Sequence, residues 1–473
     1  MVRAKKSELY EISAVELRRL IGRRELSPVE LLDYVLERID RLDPKIHAFV
    51  HLDRRGAKAA ARRAEKSMMS GDALGPLHGL PISIKDLILV KGMPCTRGSW
   101  FFRNDVPKQD PPAIERLRKA GAIITGKTNT PELGWTGVTS NVLFPETRNP
   151  WDLERTPGGS SGGATAATAV GFGPFHLGTD GGGSVRIPAS FTGTFGFKGS
   201  YGRIPNTPVA PNGRLGHLGP QTRTVDDAAM LYRVLAGPDE RDPHSLPAEA
   251  IPEGDLNPLE GVRIGWVPNL GFNKADAEVV RVCERAVQKF ADARCTIIPL
   301  NINIEDPLDT AIGIAMRAGI GRIVTGYPDW RKRIDPALGE IIEAAEKRMS
   351  PFSLSDVALG IGRIWEGMRK QFARIDILAL PTTPTVAFPI GQNAPTRWLN
   401  KPESAMRWFG MTAAFNATGQ PAASVPAGFT RAGLPVGLQL VGQRYADWNV
   451  LSACKTFEML APWADKWPAL AQR

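Results

Sequence analysis

Two serines sit inside runs of glycine, Ser160 in Gly158-Gly159-Ser160-Ser161-Gly162-Gly163 and Ser184 in Asp180-Gly181-Gly182-Gly183-Ser184. Glycine lets a backbone turn sharply and bring its N–H groups close to a ligand where a Cβ would intrude. Each cluster therefore displays a hydroxyl on an open loop, and consecutive N–H groups at Gly182, Gly183 and Ser184 would supply the donors that a developing oxyanion requires. A serine is a poor nucleophile near neutral pH without a base in hydrogen-bond reach. One polar candidate for that base is Lys85, the only lysine in the largely apolar run at 75–89. Such a lysine is either an edge residue whose amine reaches water or a buried functional amine. Composition alone favours the edge.

Two familiar patterns overlap these residues. Gly158-Gly159-Ser160-Ser161-Gly162 matches G-x-S-x-G, the nucleophile elbow, which would make Ser160 the nucleophile and call for an acid and then a histidine downstream. The histidines after it are His176, His217 and His244, none near the C-terminal end. Gly121 to Thr128 matches the phosphate-loop pattern of an NTPase, but that pattern needs a loop that follows a strand and opens a helix. Here the residues between the glycines are β-formers and Asn129-Thr130-Pro131 follows. The segment reads better as a strand leaving a helix. Glycine-serine runs also make flexible linkers, yet Phe172, Phe175 and Leu177 flank the clusters closely.

The two clusters together resemble the amidase signature family. The resemblance extends to Pro81-Ile82-Ser83-Ile84-Lys85-Asp86, to Gly126-Lys127-Thr128-Asn129, to 191–202, to 415–426 and to 433–442, most of the chain. It implies that Ser184 is the nucleophile, Ser160 a bridging serine and Lys85 the base, which reverses the edge reading. It also implies a cis peptide bond between Gly159 and Ser160, an oxyanion hole of N–H groups from Gly181, Gly182, Gly183 and Ser184, and supporting roles for Ser161, Thr179, Asp180 and Arg186. Asp180 and Arg186 would pair and fix the second cluster. For the relay Lys85 must be largely neutral, a direction that burial supplies; Asp86 would oppose it, but adjacent strand residues point to opposite faces. Many relatives carry a larger residue where this chain has Gly181.

The elements that must position these groups are legible from periodicity. Ser13 with Glu16 is a capping-box start. Ser27-Pro28 opens a second helix expected to stop before Asp43-Pro44, and a third covers 54–70. Further helices are expected near 112–120, across 164–170, after Thr224 and at 275–292, with strands at 262–267 and 296–300. Residues 306–373 read as mostly helical, either a cover over the site or a packing layer. Apolar strands alternating with helices imply an α/β fold, a large twisted mixed β-sheet covered by helices on both faces. No linker divides the chain, so 1–473 is expected to form one domain: a helical layer at 1–70, a catalytic core at 75–230, the variable helical region at 306–373 and the rest of the core at 374–473.

Composition bounds the function. With 473 residues and 42% hydrophobic content the chain can bury a large core. Net charge is +10 and pI about 9.5, but Lys and Arg are interleaved with acids and no nucleic-acid motif accompanies them. The four cysteines have no metal or disulfide spacing. Basic residues at the N-terminus precede no apolar run, and no apolar stretch reaches membrane-span length. The expectation is a cytoplasmic enzyme with no metal, cofactor, nucleic-acid or membrane partner, a homodimer being left open.

Substrate choice lies outside the signature. The family cleaves carboxamides, anilides, esters, carbamates, or glutamine within a tRNA-dependent amidotransferase complex. Where the glutamine-cleaving members carry Ala-Ser-Ser-Leu-Asp-Gln-Ile-Gly-Pro, this chain reads Pro211-Asn-Gly-Arg-Leu-Gly-His-Leu-Gly-Pro220, which argues for a free-standing amidase acting on a small-molecule amide. Trp135 and Phe144, between the lysine and serine elements, are the aromatic candidates for the substrate pocket.

Overall fold

The protein is described from a computed structural model covering residues 6–210, 212–250, 252, 256–399 and 404–472; the start of the chain at 1–5 and Pro211 lie outside the described residues. Helix starts follow their caps. Ser13 accepts from Glu16 N to open Ala14–Gly22, and Ser27 accepts from Val29 N and Glu30 N to open Pro28–Ile46. The second helix does not stop before Asp43. It runs through Pro44, which is exposed and two residues from the helix end, so the missing N–H strands only a solvent-side carbonyl. Asp53 caps Arg54–Ser70, whose end is set by Gly71 in the left-handed region at φ 78°.

Eleven strands form one mixed sheet. They are β1 (Phe49–Leu52), β2 (Pro81–Lys85), β3 (Ile123–Thr128), β4 (Phe175–Asp180), β5 (Phe195–Lys198), β6 (His217–Thr222), β7 (Arg263–Trp266), β8 (Thr296–Pro299), β9 (Ile377–Pro381), β10 (Ala422–Phe429) and β11 (Pro435–Val441). Their order is β1-β3-β2-β4-β6-β5-β10-β11-β9-β7-β8. β2 runs parallel to both β3 and β4, whereas β4 with β6 and β10 with β11 are antiparallel. The fold class is α/β, as the alternation of elements predicts.

Alternate residues of β9 show why the sheet is buried on both faces. Ile377 and Ala379 join the large core under the helices Ala277–Gln288 and Asp447–Leu460, while Leu378 and Leu380 join a separate core with Met411 and Phe415 of Gly410–Ala417. Period-two side chains thus serve two apolar layers, so the strand is hydrophobic throughout. The region after 306 contributes Ala311–Val324, Pro336–Arg348 and Ser353–Phe372. Their buried side chains form a third core with Trp135, Trp408 and Phe409.

Candidate active site

Lys85 ends β2, between β3 and β4 rather than at a sheet edge, and it is fully buried. The composition-based edge expectation is therefore wrong, because strand order is set by pairings far apart in sequence. Its Nζ donates to Ser160 Oγ at 2.6 Å and to Thr179 Oγ1 at 2.8 Å. Burial drives its pKa well below the ordinary lysine value, against the opposing charge of Asp180. A buried amine with two hydroxyl partners and a lowered affinity for protons is suited to accept one.

Ser160 follows a cis Gly159–Ser160 peptide bond. Gly159 cannot be replaced by a larger residue without moving backbone, since a Cβ there would lie 2.1 Å from Val138 O. The chain then enters the helix Gly162–Ala169, whose glycine, alanine and threonine residues are all buried. Ser161 ties the two clusters together: its N–H donates to Ser184 O at 3.2 Å and its Oγ to Thr179 O at 3.1 Å. Ser184 and Ser160 line the same cavity. Among the described residues no hydrogen bond joins their hydroxyls, and Ser160 Oγ accepts from Lys85.

Asp180 organises the second cluster. It is fully buried and forms a two-pronged ion pair with Arg186, Nε to Oδ2 at 3.0 Å and Nη2 to Oδ1 at 2.8 Å. Burial alone would raise its pKa, but Arg186, Lys198 and Asn416 overcome that and hold the carboxyl well below its usual range. Asp180 also accepts from Gly183 N at 2.7 Å and Val185 N at 3.1 Å. This alters the expected oxyanion hole. The Gly183 N–H is committed to Asp180 and Gly183 does not line the cavity, whereas Gly181, Gly182 and Ser184 do. Gly183 has φ 129°, and a Cβ on it would strike Thr412 Oγ1 at 2.2 Å, so glycine is what lets the loop fold back on its own carboxylate.

Several groups of this network carry no signal that sequence reasoning picks out. Arg186 Nη1 donates to Thr412 O and to Gln439 Oε1, and Nη2 to Asn416 Oδ1. Lys198 is buried, its Nζ donating to Gln420 O with His217 Nε2 at 3.4 Å. Burial, and next the Arg186 charge, bring Lys198 down to about 7; His217 is kept neutral by burial and by Lys198. Lys198, Asn416, Gln420 and Gln439 lie in segments that carry the resemblance, but nothing local shows that they meet at Asp180 and Arg186, because that depends on strands paired far apart in sequence. His176 is bound to Ser83 Oγ at 2.6 Å, and His217, which lines the cavity, has Nδ1 on Leu215 O at 2.8 Å and Nε2 beside Lys198 at 3.4 Å, so among the described residues the elbow reading finds no histidine bonded to Ser160. Lys127 forms a buried ion pair with Asp86 inside β3, which removes it as a phosphate-binding lysine.

The serines open on a cavity of about 350 Å³. Its walls are mainly apolar, with Leu133, Trp135, Met316, Ile320, Met406 and Phe409 among them. Met316 and Ile320 belong to Ala311–Val324, which brings the region after 306 against the site. Trp135 lies where the sequence places it. Phe144 does not: it lines a separate groove with Asp43 and His47 of the N-terminal layer, because the loop carrying it folds outward over that helix end.

Comparison with known proteins finds relatives along nearly the whole chain. The Amidase family model matches residues 30–451. The chain is 37% identical to an acylamidase of Rhodococcus erythropolis over 98% of both chains. It is 35% identical to the A chain of the glutamyl-tRNA(Gln) amidotransferase of Roseiflexus castenholzii, over 98% of this chain and 99% of that one. The crystal structure of a bacterial aryl acylamidase of the amidase signature enzymes superposes with a TM-score of 0.89 at 30% identity, covering 98% of this chain and 99% of that chain. The chain therefore belongs to the amidase signature family and is a hydrolase acting on amide C–N bonds.

Proposed function

We propose that the protein is a free-standing amidase that cleaves carboxamides with an apolar acyl or aryl group through Lys85, Ser160 and Ser184. The observation that carries this reading is the 2.6 Å contact between the buried Lys85 amine and Ser160 Oγ, at the floor of the cavity that Ser184 also lines. Neutral Lys85 takes the Ser160 proton as Ser160 takes that of Ser184. Ser184 Oγ attacks the carbonyl carbon, and the oxyanion is held by N–H groups of Gly181, Gly182 and Ser184. The relay returns the proton to the departing nitrogen, leaving an acyl-enzyme and a free amine or ammonia. Water, deprotonated by the same relay, attacks the ester carbonyl and releases the acid. An ester would enter by the same attack with only the leaving group changed, and a carbamate by the same attack with the alcohol leaving and a carbamoyl-serine formed in place of the acyl ester.

The kinship with amidotransferase chains raises glutamine as a second substrate. Cavity chemistry favours the apolar reading. Free glutamine carries an ammonium and a carboxylate, and burying either without a partner is costly. Among the described lining residues the carboxylate is Asp180, already spent on Arg186, and Arg97 is paired with Asp105 at 2.9 Å. The test is to compare hydrolysis of an anilide series with ammonia release from glutamine by the isolated chain. Anilide turnover well above glutamine turnover is expected; glutamine turnover equal to or above that of every anilide would overturn the reading.

A further inference from the structure

A second pocket, of about 200 Å³, lies between the helix Ser353–Phe372 and the C-terminal end of Gly410–Ala417 with the residues that follow it. Arg214 and Arg444 both line it, and no carboxylate does. Neither arginine makes an ion pair among the described residues. This is unusual for the neighbourhood, because Arg363 and Arg369 on the same helix are paired with Glu305 and Glu366. The two guanidinium groups instead stand beside aromatic rings, Arg444 4.8 Å from Tyr445, to whose hydroxyl its Nη2 donates, and 5.5 Å from Trp365, and Arg214 5.7 Å from Tyr201. Thr418, 5% exposed, also lines the pocket, and its Oγ1 and Arg444 Nε are buried without hydrogen-bond partners.

We propose that this pocket is a binding site for a small aromatic carboxylate, separate from the catalytic cavity. Arg214, and the part of the Arg444 guanidinium not bonded to Tyr445, supply charged donors without carboxylate partners, which suit a carboxylate. Trp365 and Tyr201 offer faces for a flat apolar body. Thr418 Oγ1 and Arg444 Nε are buried behind the wall without hydrogen-bond partners, so the charge of Arg444 is not offset by an internal acid. The site is not remote from catalysis. Asn416, another lining residue, donates to Asp180 and accepts from Arg186, and Tyr201 packs edge-on against His217 at 5.4 Å.

Equilibrium dialysis of the whole protein with radiolabelled benzoate tests this, with R444Q and R214Q compared after circular dichroism has confirmed their folds. Benzoate held in the apolar catalytic cavity is the part that benzyl alcohol displaces, and it is read separately in each protein. The expected result is a saturable component that each variant weakens at least about tenfold, the loss of a charged hydrogen bond. Arg214 is exposed, so R214Q keeps the test informative should R444Q fail to fold. Benzyl alcohol should fail to displace this component, and inorganic phosphate should displace it far less well than benzoate. Coincident isotherms for the three proteins would overturn the site. Displacement by benzyl alcohol as effective as by benzoate would overturn the charge recognition, and equal displacement by phosphate would overturn the aromatic part.

Discussion

Lys127 Nζ stands 3.0 Å from Asp86 Oδ1, with both side chains shut away from solvent. The strand register explains the arrangement. Lys127 is paired with Ile84, and Thr128 with Lys85, so Lys127 projects from the face of β2 and β3 opposite to Lys85. The negative charge next in sequence to the proposed base is thus matched by a cation of its own, and Thr96 adds donors from its N and Oγ1 to Asp86 Oδ2.

Removing one member of a buried pair leaves the other uncompensated, at about 3–5 kcal/mol. Lys127→Met should therefore lower the denaturation free energy by about that much. Asp86→Asn combined with Lys127→Met should recover part of it, because the stranded charge is gone. Chemical denaturation of the wild type, Lys127→Met and the double variant checks this, and a double variant no more stable than Lys127→Met would contradict it.

The Asp180–Arg186 pair makes a different prediction. Arg186→Met strands a buried carboxylate and is expected to cost about 3–5 kcal/mol as well. It also releases the loop that carries Gly181, Gly182 and Ser184. Its kcat should fall by at least about 100-fold, the usual loss when an oxyanion donor is misplaced, measured at a temperature where circular dichroism shows the variant folded. Full activity in the folded variant would separate the pair from the site.

How much of this is legible before folding differs residue by residue. The serine clusters announce themselves because glycine at Gly159 and Gly183 is required by close approaches of backbone and side chain, and such demands leave local traces. The Asp180–Arg186 pairing is an expectation that comes with the family resemblance. Its depth cannot be read locally, since Thr412, Asn416 and Gln439 arrive from the far end of the chain. Lys85 is ambiguous in sequence because whether β2 is an edge or an interior strand depends on where β3 and β4 pair. Phe144 escapes for the same reason: a loop aromatic carries no mark of which groove it will fill. Pro44 reads as a helix stop because nothing local tells that it and Asp40, one turn before it, lie on the exposed face of the helix.

Lys85 gives a pH prediction with a defined sign. A base acts deprotonated, and burial lowers the pH at which this amine gains its proton. The kcat/KM profile should be level above that lowered value and fall as pH drops through it. An acid limb near the ordinary lysine value of about 10.4 would contradict a buried neutral amine.

The cavity wall from Ala311–Val324 predicts selectivity. Met316 is 6% exposed and lines the cavity, so Met316→Trp should shorten the acyl space. For anilides with long acyl chains kcat/KM should drop by roughly 10–200-fold, while acetanilide turnover stays within a few-fold. Equal losses for short and long substrates would place Met316 outside the acyl path.

The proposed relay from Ser184 through Ser160 to Lys85 can be probed by treating the protein with a serine-directed fluorophosphonate, locating the adduct by peptide mass spectrometry, and repeating the reaction on Lys85→Ala. The expected outcome is label on Ser184 that is lost without Lys85. Label on Ser160 that survives the loss of Lys85 would contradict the relay.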